Sequence, residues 1–164
     1  MELKMQQVAQ KLRATIEYIL PKLKGISDAD ATLKPRPEKW SKKEVLGHLI
    51  DSACNNQQKF VRTMQQQHLD FVGYKQDDWV ASQRYNDAKW LEIIDIWVAY
   101  NRQIAHIIEK VDPSVLGHTI SIEGSEPFTL EFIMTDYAEH LKHHLLQILP
   151  DADLTSSFAN VYNA

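Results

Sequence analysis

The chain has 164 residues, of which 44% are apolar and 24% charged, with a net charge of −4. That is enough to bury a core in one domain spanning residues 1–164, and the balance is globular rather than disordered. No apolar run approaches ~18 residues and no cluster of Lys and Arg could neutralise a phosphate backbone, so neither a membrane nor a nucleic-acid partner is expected.

The opening residues, MELKMQQVAQKLRATIEYIL, lack a compact apolar stretch followed by a small-residue cleavage site, which suits a cytoplasmic protein. Within them Val8, Leu12, Ile16 and Ile19 or Leu20 predict a first helix over about 4–20, ended or kinked by Pro21. Ser41-Lys42-Lys43-Glu44, directly after Trp40, is a capping box. It starts a second helix that Leu46, Leu49, Ile50, Ala53, Phe60 and Met64 carry to about 67. Cys54 lies beside this stripe as a small residue near the core. As the sole cysteine it forms no internal disulfide, in keeping with a reducing compartment.

Residues 68–85 read as a long connection, and Phe71, Tyr74 and Trp79 in it predict a segment packed down as a lid. A third helix opens near Asn86 or Asp87 and follows Trp90, Ile93, Ile94, Trp97, Tyr100, Ile104, Ile107 and Val111, until Asp112-Pro113 closes it. Ile120 and Ile122 then alternate with polar residues, predicting a small hairpin after His118. A fourth helix runs from about Thr129 to Leu149, stopped by Pro150. The expected fold is all-α: a four-helix bundle with a small hairpin between helices three and four.

Histidine placement carries the functional reading. Tyr137 to Ile148 reads YAEHLKHHLLQI, with three histidines on the fourth helix. Relative to its stripe Leu130, Met134, Tyr137, Leu141, Leu145 and Ile148, His144 sits about 60° and His140 about 100° away, on the same side. His143 falls on the opposite face with Asp136 and Gln147, towards solvent. His140 and His144, one turn apart, form half of a zinc-type site, although the same spacing also describes two histidines that merely border a core. A third ligand must come from elsewhere, and His48 is the candidate. It lies opposite the Leu46, Ile50, Ala53 and Phe60 stripe, together with Glu44, Asp51 and Asn55. That face is either solvated, which periodicity by itself favours, or the wall of a wet cleft. His68, His106 and His118 show no partner spacing and read as surface or structural.

The stretch from Arg36 through Trp40-Ser41 to Glu44-Val45-Leu46-Gly47-His48-Leu49-Ile50-Asp51-Ser52 resembles the start of helix two in the DinB-like superfamily. The likeness is greatest to its metal-dependent hydrolase and bacillithiol S-transferase branch, which has a tryptophan before the helix and an H-L-A-D-S core. His140-Leu141-Lys142-His143-His144 is similar to that branch's H-x-x-H-H motif, and Tyr74 to Trp79 to a Y-x-x-x-x-W stretch of its inter-helix loop. The resemblance spans residues 34–148. It implies a bundle that is often a homodimer, with a divalent metal on His48, His140 and His144. The family's name derives from a DNA-damage-inducible gene and implies no DNA binding. Relatives can carry a second histidine just before or a few residues after the helix-two ligand. Gly47 and Ala53 stand there instead, implying an altered substrate contact.

Three neutral imidazoles leave a divalent ion with open positions, the pattern of a catalytic site. An all-nitrogen set suits Zn²⁺ or Ni²⁺ and not Mg²⁺ or Ca²⁺. Such an ion can acidify water for hydrolysis or a low-molecular-weight thiol for transfer. The expected function is therefore a metal-dependent hydrolase or thiol S-transferase acting on small-molecule electrophiles in stress or detoxification. Asp51 and Asp136 each lie one turn from a histidine and are placed to orient it, or else are plain surface carboxylates. Asn55 and Lys59 continue the His48 face towards an anionic substrate, and Tyr74 and Trp79 could cover the cleft. The alternatives are a non-catalytic metal-binding or dimerisation bundle, and a helical interaction protein without metal.

Overall fold

Residues 2–162 are described by the computed structural model, residue 2 by its backbone alone. The order is α1 (Glu2–Lys24), α2 (Asp28–Thr32), α3 (Lys42–Met64), β1 (His68–Phe71), α4 (Gln76–Gln83), α5 (Trp90–Lys110), β2 (Thr119–Ile122), β3 (Phe128–Thr129) and α6 (Leu130–Ile148). Single 3-10 turns add Tyr85–Asp87 and Pro113–Val115. The long helices α1, α3, α5 and α6 form the bundle: α1 packs on α5 and α6, and α3 packs on the same two. Apolar stripes from all four meet in a core that includes Ile16, Phe60, Trp97 and Leu141.

Local chemistry explains where the helices start and stop. The capping box forms as expected, with Ser41 N donating to Glu44 Oε2 at 2.7 Å and Glu44 N to Ser41 Oγ at 3.1 Å. Thr129 caps α6 by accepting from Phe132 N at 3.2 Å. Pro21 does not end α1, which runs one turn further to Lys24. Proline forfeits one intrahelical bond, but the last turn carries Leu23, which is fully buried. The stop comes at Gly25, whose amide bonds back to the carbonyls of Pro21 and Lys22 at 3.1 and 3.2 Å.

The short helix α2 is an addition to the expected set. Its Asp28 accepts from Trp90 N at 2.7 Å, supplying α5 with the cap that Lys89 does not make. The same carboxylate pairs at 3.0 Å with the buried ammonium of Lys43, which also donates to Ala88 O at 2.7 Å. One staple thus ties the starts of α3 and α5 together.

Residues 68–85 are not one loop, correcting that expectation. They hold β1, α4 and the beginning of a 3-10 turn. The expected hairpin exists, as two strands of a three-stranded sheet. β2 pairs antiparallel with β3, Ile120 opposite Phe128, and parallel with β1, Thr119 opposite His68. Its turn places Glu123 at φ 50° and Gly124 at φ 78°, with Ser125 N bonded to Ile122 O at 3.0 Å. Positive φ at both central residues is what a tight hairpin turn requires. No helix among the described residues is long and apolar enough to cross a membrane.

The polar face of α3 is also covered. α2, α4 and the 85–87 turn pack on α3, Gln83 and Tyr85 bond to Asp51, and Trp40 and α6 cover His48, leaving His48 and Asp51 each 2% exposed. The solvated reading of this face is therefore overturned. Periodicity detects a helix's own apolar stripe and is blind to what later segments lay over the other side.

Candidate metal centre

His48 sits in the second turn of α3, fixed in phase by the capping box. His140 and His144 lie in the second half of α6. The phase of α6 is set partly by Tyr137, whose hydroxyl donates to Asn101 Oδ1 of α5 at 2.5 Å. The three imidazoles converge: ring centroids lie 4.5 Å apart for His140 and His144, 4.6 Å for His48 and His144, and 5.4 Å for His48 and His140. One ligand nitrogen from each falls within 4.8 Å of the other two. His140 Nε2 and His144 Nε2 are 3.1 Å apart.

The outward nitrogens are held by groups other than those expected. His144 Nδ1 is 3.1 Å from Gln147 Oε1, and His140 Nδ1 is 3.5 Å from Ser52 Oγ. With Gln147 Oε1 accepting, the Nδ1–H tautomer of His144 leaves the lone pair of Nε2 to face the centre. Both nitrogens of His48 are buried without a partner among the described residues, and its ring lies 5.1 Å from that of Trp40. Burial, with His144 acting in the same direction, brings His48 down to about 3. Burial and the neighbouring histidines hold His140 well below the ordinary imidazole value. Burial also lowers His144, with Gln147 pulling the other way. All three are neutral at pH 7, the form that ligates a metal.

The donor set fits a divalent ion. Tetrahedral zinc with ligands at ~2.0 Å separates its nitrogens by about 3.3 Å, close to the 3.1 Å between His140 and His144. The unpartnered imidazole of His48 is the buried polar group that such an ion would satisfy. All-nitrogen ligation favours Zn²⁺ or Ni²⁺ over the oxygen-seeking ions.

The histidines open onto a cavity of about 830 Å³ between α3, α6, the β2–β3 turn and the chain's last described residues. Lys59 and Tyr74 line it. Lys59 makes no ion pair or hydrogen bond among the described residues. Burial pushes its ammonium down to about 8, with Asp136 drawing it back up. Asn55 does not reach the cavity: its amide donates to Asp51 O of its own helix at 2.9 Å. Asn56, one position on, lines the space instead. Trp79 is 37% exposed and packs at a tilt on Tyr74, centroids 4.9 Å apart, without lining the cavity itself.

Neither expected carboxylate orients a histidine. Asp51 Oδ1 accepts from Tyr85 Oη and from Gln83 Nε2, both at 2.7 Å, pinning the 83–85 segment onto α3. Its acid is raised by burial, an effect those bonds oppose. Asp136 accepts from Tyr162 Oη at 2.6 Å and is likewise raised by burial. The orienting groups that were missed, Ser52 and Gln147, had a sequence signal. Ser52 lies four residues after His48 and Gln147 three after His144, each on a face shared with a histidine. His143 is exposed, as expected, as are His68 and His106. His118 is structural, its Nδ1 bonded to Thr63 O at 2.9 Å.

The chain belongs to the DinB superfamily, whose family model matches residues 11–148. In fold it is similar to YfiT from Bacillus subtilis, described as a probable metal-dependent hydrolase with an unusual four-helix bundle topology. The TM-score is 0.69 and the identity 17%, over 91% of this chain and 82% of that one. No curated protein sequence matches the chain.

Proposed function

We propose that this chain is a metal-dependent enzyme that holds one Zn²⁺ or Ni²⁺ on His48, His140 and His144 and acts on a small electrophile. Hydrolysis is the first reading, supported by the description of YfiT as a probable metal-dependent hydrolase. Transfer of a low-molecular-weight thiol such as bacillithiol, in a stress response, is the second, supported by the H-x-x-H-H and Y-x-x-x-x-W motifs. A homodimer follows from the same resemblance.

The observation that carries the reading is His48. A buried imidazole with neither nitrogen bonded forfeits about 1–3 kcal/mol of desolvation unless a ligand takes its lone pair. It faces two imidazoles whose far nitrogens are already engaged. When bound, the ion supplies Lewis acidity, which acidifies water or a thiol and polarises the electrophile.

The protein's own groups supply position and environment. Gln147 and Ser52 hold the His144 and His140 rings in place from their outer nitrogens. Lys59, without an ion-pair partner in the cavity, is suited to an anionic group of the substrate. Tyr74 and the Trp79 ring behind it form a side wall. A cavity of this size takes one small molecule.

Metal analysis of tag-free protein tests the site: about one ion per chain is expected, and His48→Ala, His140→Ala and His144→Ala should each lose nearly all of it. Unchanged metal content in these variants sinks the assignment. Loaded protein is then offered p-nitrophenyl esters, and low-molecular-weight thiols with monobromobimane. No acceleration over free metal in either assay would leave a non-catalytic metal-binding module.

A further inference from the structure

Past α6 the chain returns to the site. Residues 151–162 hold no regular helix or strand, yet they run back along α6 towards its start. Asp153 N donates to Tyr18 Oη at 3.0 Å. Ser156 Oγ then donates to Glu139 O at 2.7 Å, and Ser157 N to Glu139 Oε2 at 2.8 Å. Finally Tyr162 Oη reaches Asp136 Oδ2 at 2.6 Å. From 151 to 158, alternate side chains turn inward, and Ala152 and Leu154 pack against the core.

Two aromatic rings end up at the site. Phe158 lies edge-on to His140 with centroids 5.0 Å apart, and 5.5 Å from His143. Tyr162 packs on Phe128 of β3 at 5.1 Å. Phe158, Val161 and Tyr162 line the cavity together with Lys59 and Tyr74. This wall is half-buried and held largely by hydrogen bonds at the surface, so it opens at lower cost than any bundle helix.

We infer that residues 155–162 form the selecting wall of the cavity, in which Phe158 and Tyr162 contact the substrate and restrict access to the three histidines. The inference rests on the proposed metal-site reading for its substrate but not for its geometry. Phe158 places an aromatic face beside His140, so the molecules admitted are compact and carry an apolar group next to the reacting centre. Extended or polymeric substrates meet the strap.

The test uses the full chain with Phe158→Ala and Tyr162→Phe, the latter keeping the ring and losing only the tether. Carbethoxylation of His140 by diethyl pyrocarbonate is followed by peptide mass spectrometry, on protein as purified and after dialysis against a chelator. Loss of one hydrogen bond to a charged group shifts an opening equilibrium on the order of tenfold. Tyr162→Phe should therefore be modified faster at His140 by roughly that factor, and Phe158→Ala also faster because the ring beside His140 is gone, with metal content and circular dichroism unchanged. In loaded protein, Phe158→Ala should also shift the preference along a p-nitrophenyl ester series towards longer acyl chains.

Equal His140 modification rates in wild type and Tyr162→Phe, with Phe158→Ala also unchanged, would overturn the inference. Faster modification in protein that binds no metal would leave the wall standing and remove the metal reading. Metal binding with unaltered rates would do the reverse.

Discussion

Gly47 stands between Leu46 and His48 on α3, and an added Cβ would lie 2.2 Å from Tyr85 Cδ2 and 2.4 Å from Cε2. No real Cβ contact is that short, so Gly47→Ala forces the ring of Tyr85 aside. That ring is buried, and its hydroxyl donates to Asp51 Oδ1 at 2.7 Å. Three effects compete. Alanine gains about 1 kcal/mol over glycine within a helix. Overpacking costs about 1–3 kcal/mol, and a lost hydrogen bond to a charged group another 1.5–3 kcal/mol or so. The clash wins, and the net destabilisation is about 3 kcal/mol, or roughly 6–12 °C in Tm for a chain of this length.

Urea unfolding of metal-free wild type, Gly47→Ala, Tyr85→Ala and the double variant measures this as a cycle. In the Tyr85→Ala background the alanine at 47 should be neutral or stabilising, up to about 1 kcal/mol. The reasoning fails if Gly47→Ala lies within about 0.5 kcal/mol of wild type, or costs the same in both backgrounds. The same contact accounts for a departure from the family pattern. The resemblance implies a histidine at this position in some relatives, and a side chain at 47 has no room here while Tyr85 occupies that space.

Two further outcomes follow from the site's electrostatics. NMR of reductively ¹³C-methylated protein should show one lysine titrating at about 8, since burial lowers Lys59 and Asp136 only partly restores it. Asp136→Asn should lower it further, whereas a full set of lysines at their ordinary values refutes the buried placement. Its folded value lies below the ordinary lysine value of 10.5, so stability from this group rises as pH climbs from about 8 towards 10.5, a gain absent in Lys59→Met. The histidines act at the other end. Their folded values are depressed, so below about 6.5 the unfolded chain takes up protons that the folded chain does not. Metal-free protein should lose stability as pH falls from 7 to 5, His48→Gln should flatten that slope, and added Zn²⁺ should raise Tm at pH 7. An identical slope in wild type and His48→Gln would contradict the buried neutral imidazole.

What the residues determined alone is local and geometric. A capping box at Ser41, an apolar stripe with helical period and prolines near the helix ends set the existence and phase of the four long helices. Phase then decided which two of the three histidines on α6 could turn inward, because about 100° per residue is a property of the backbone and not of its surroundings. The resemblance added His48, which local pattern had leaned away from. The tertiary structure decided everything that depends on covering a polar face. His48 is buried beneath Trp40 and the α6 histidines, and Asp51 beneath the 83–85 segment. Asp51 and Asp136 are engaged by Tyr85 and Tyr162, which lie 34 and 26 residues away along the chain. The segment past Pro150 carries no periodicity, yet it brings Phe158 against His140. A hydrogen bond or ring contact between distant residues leaves no trace in the spacing of either one, so the walls of the site became visible only once the chain was folded.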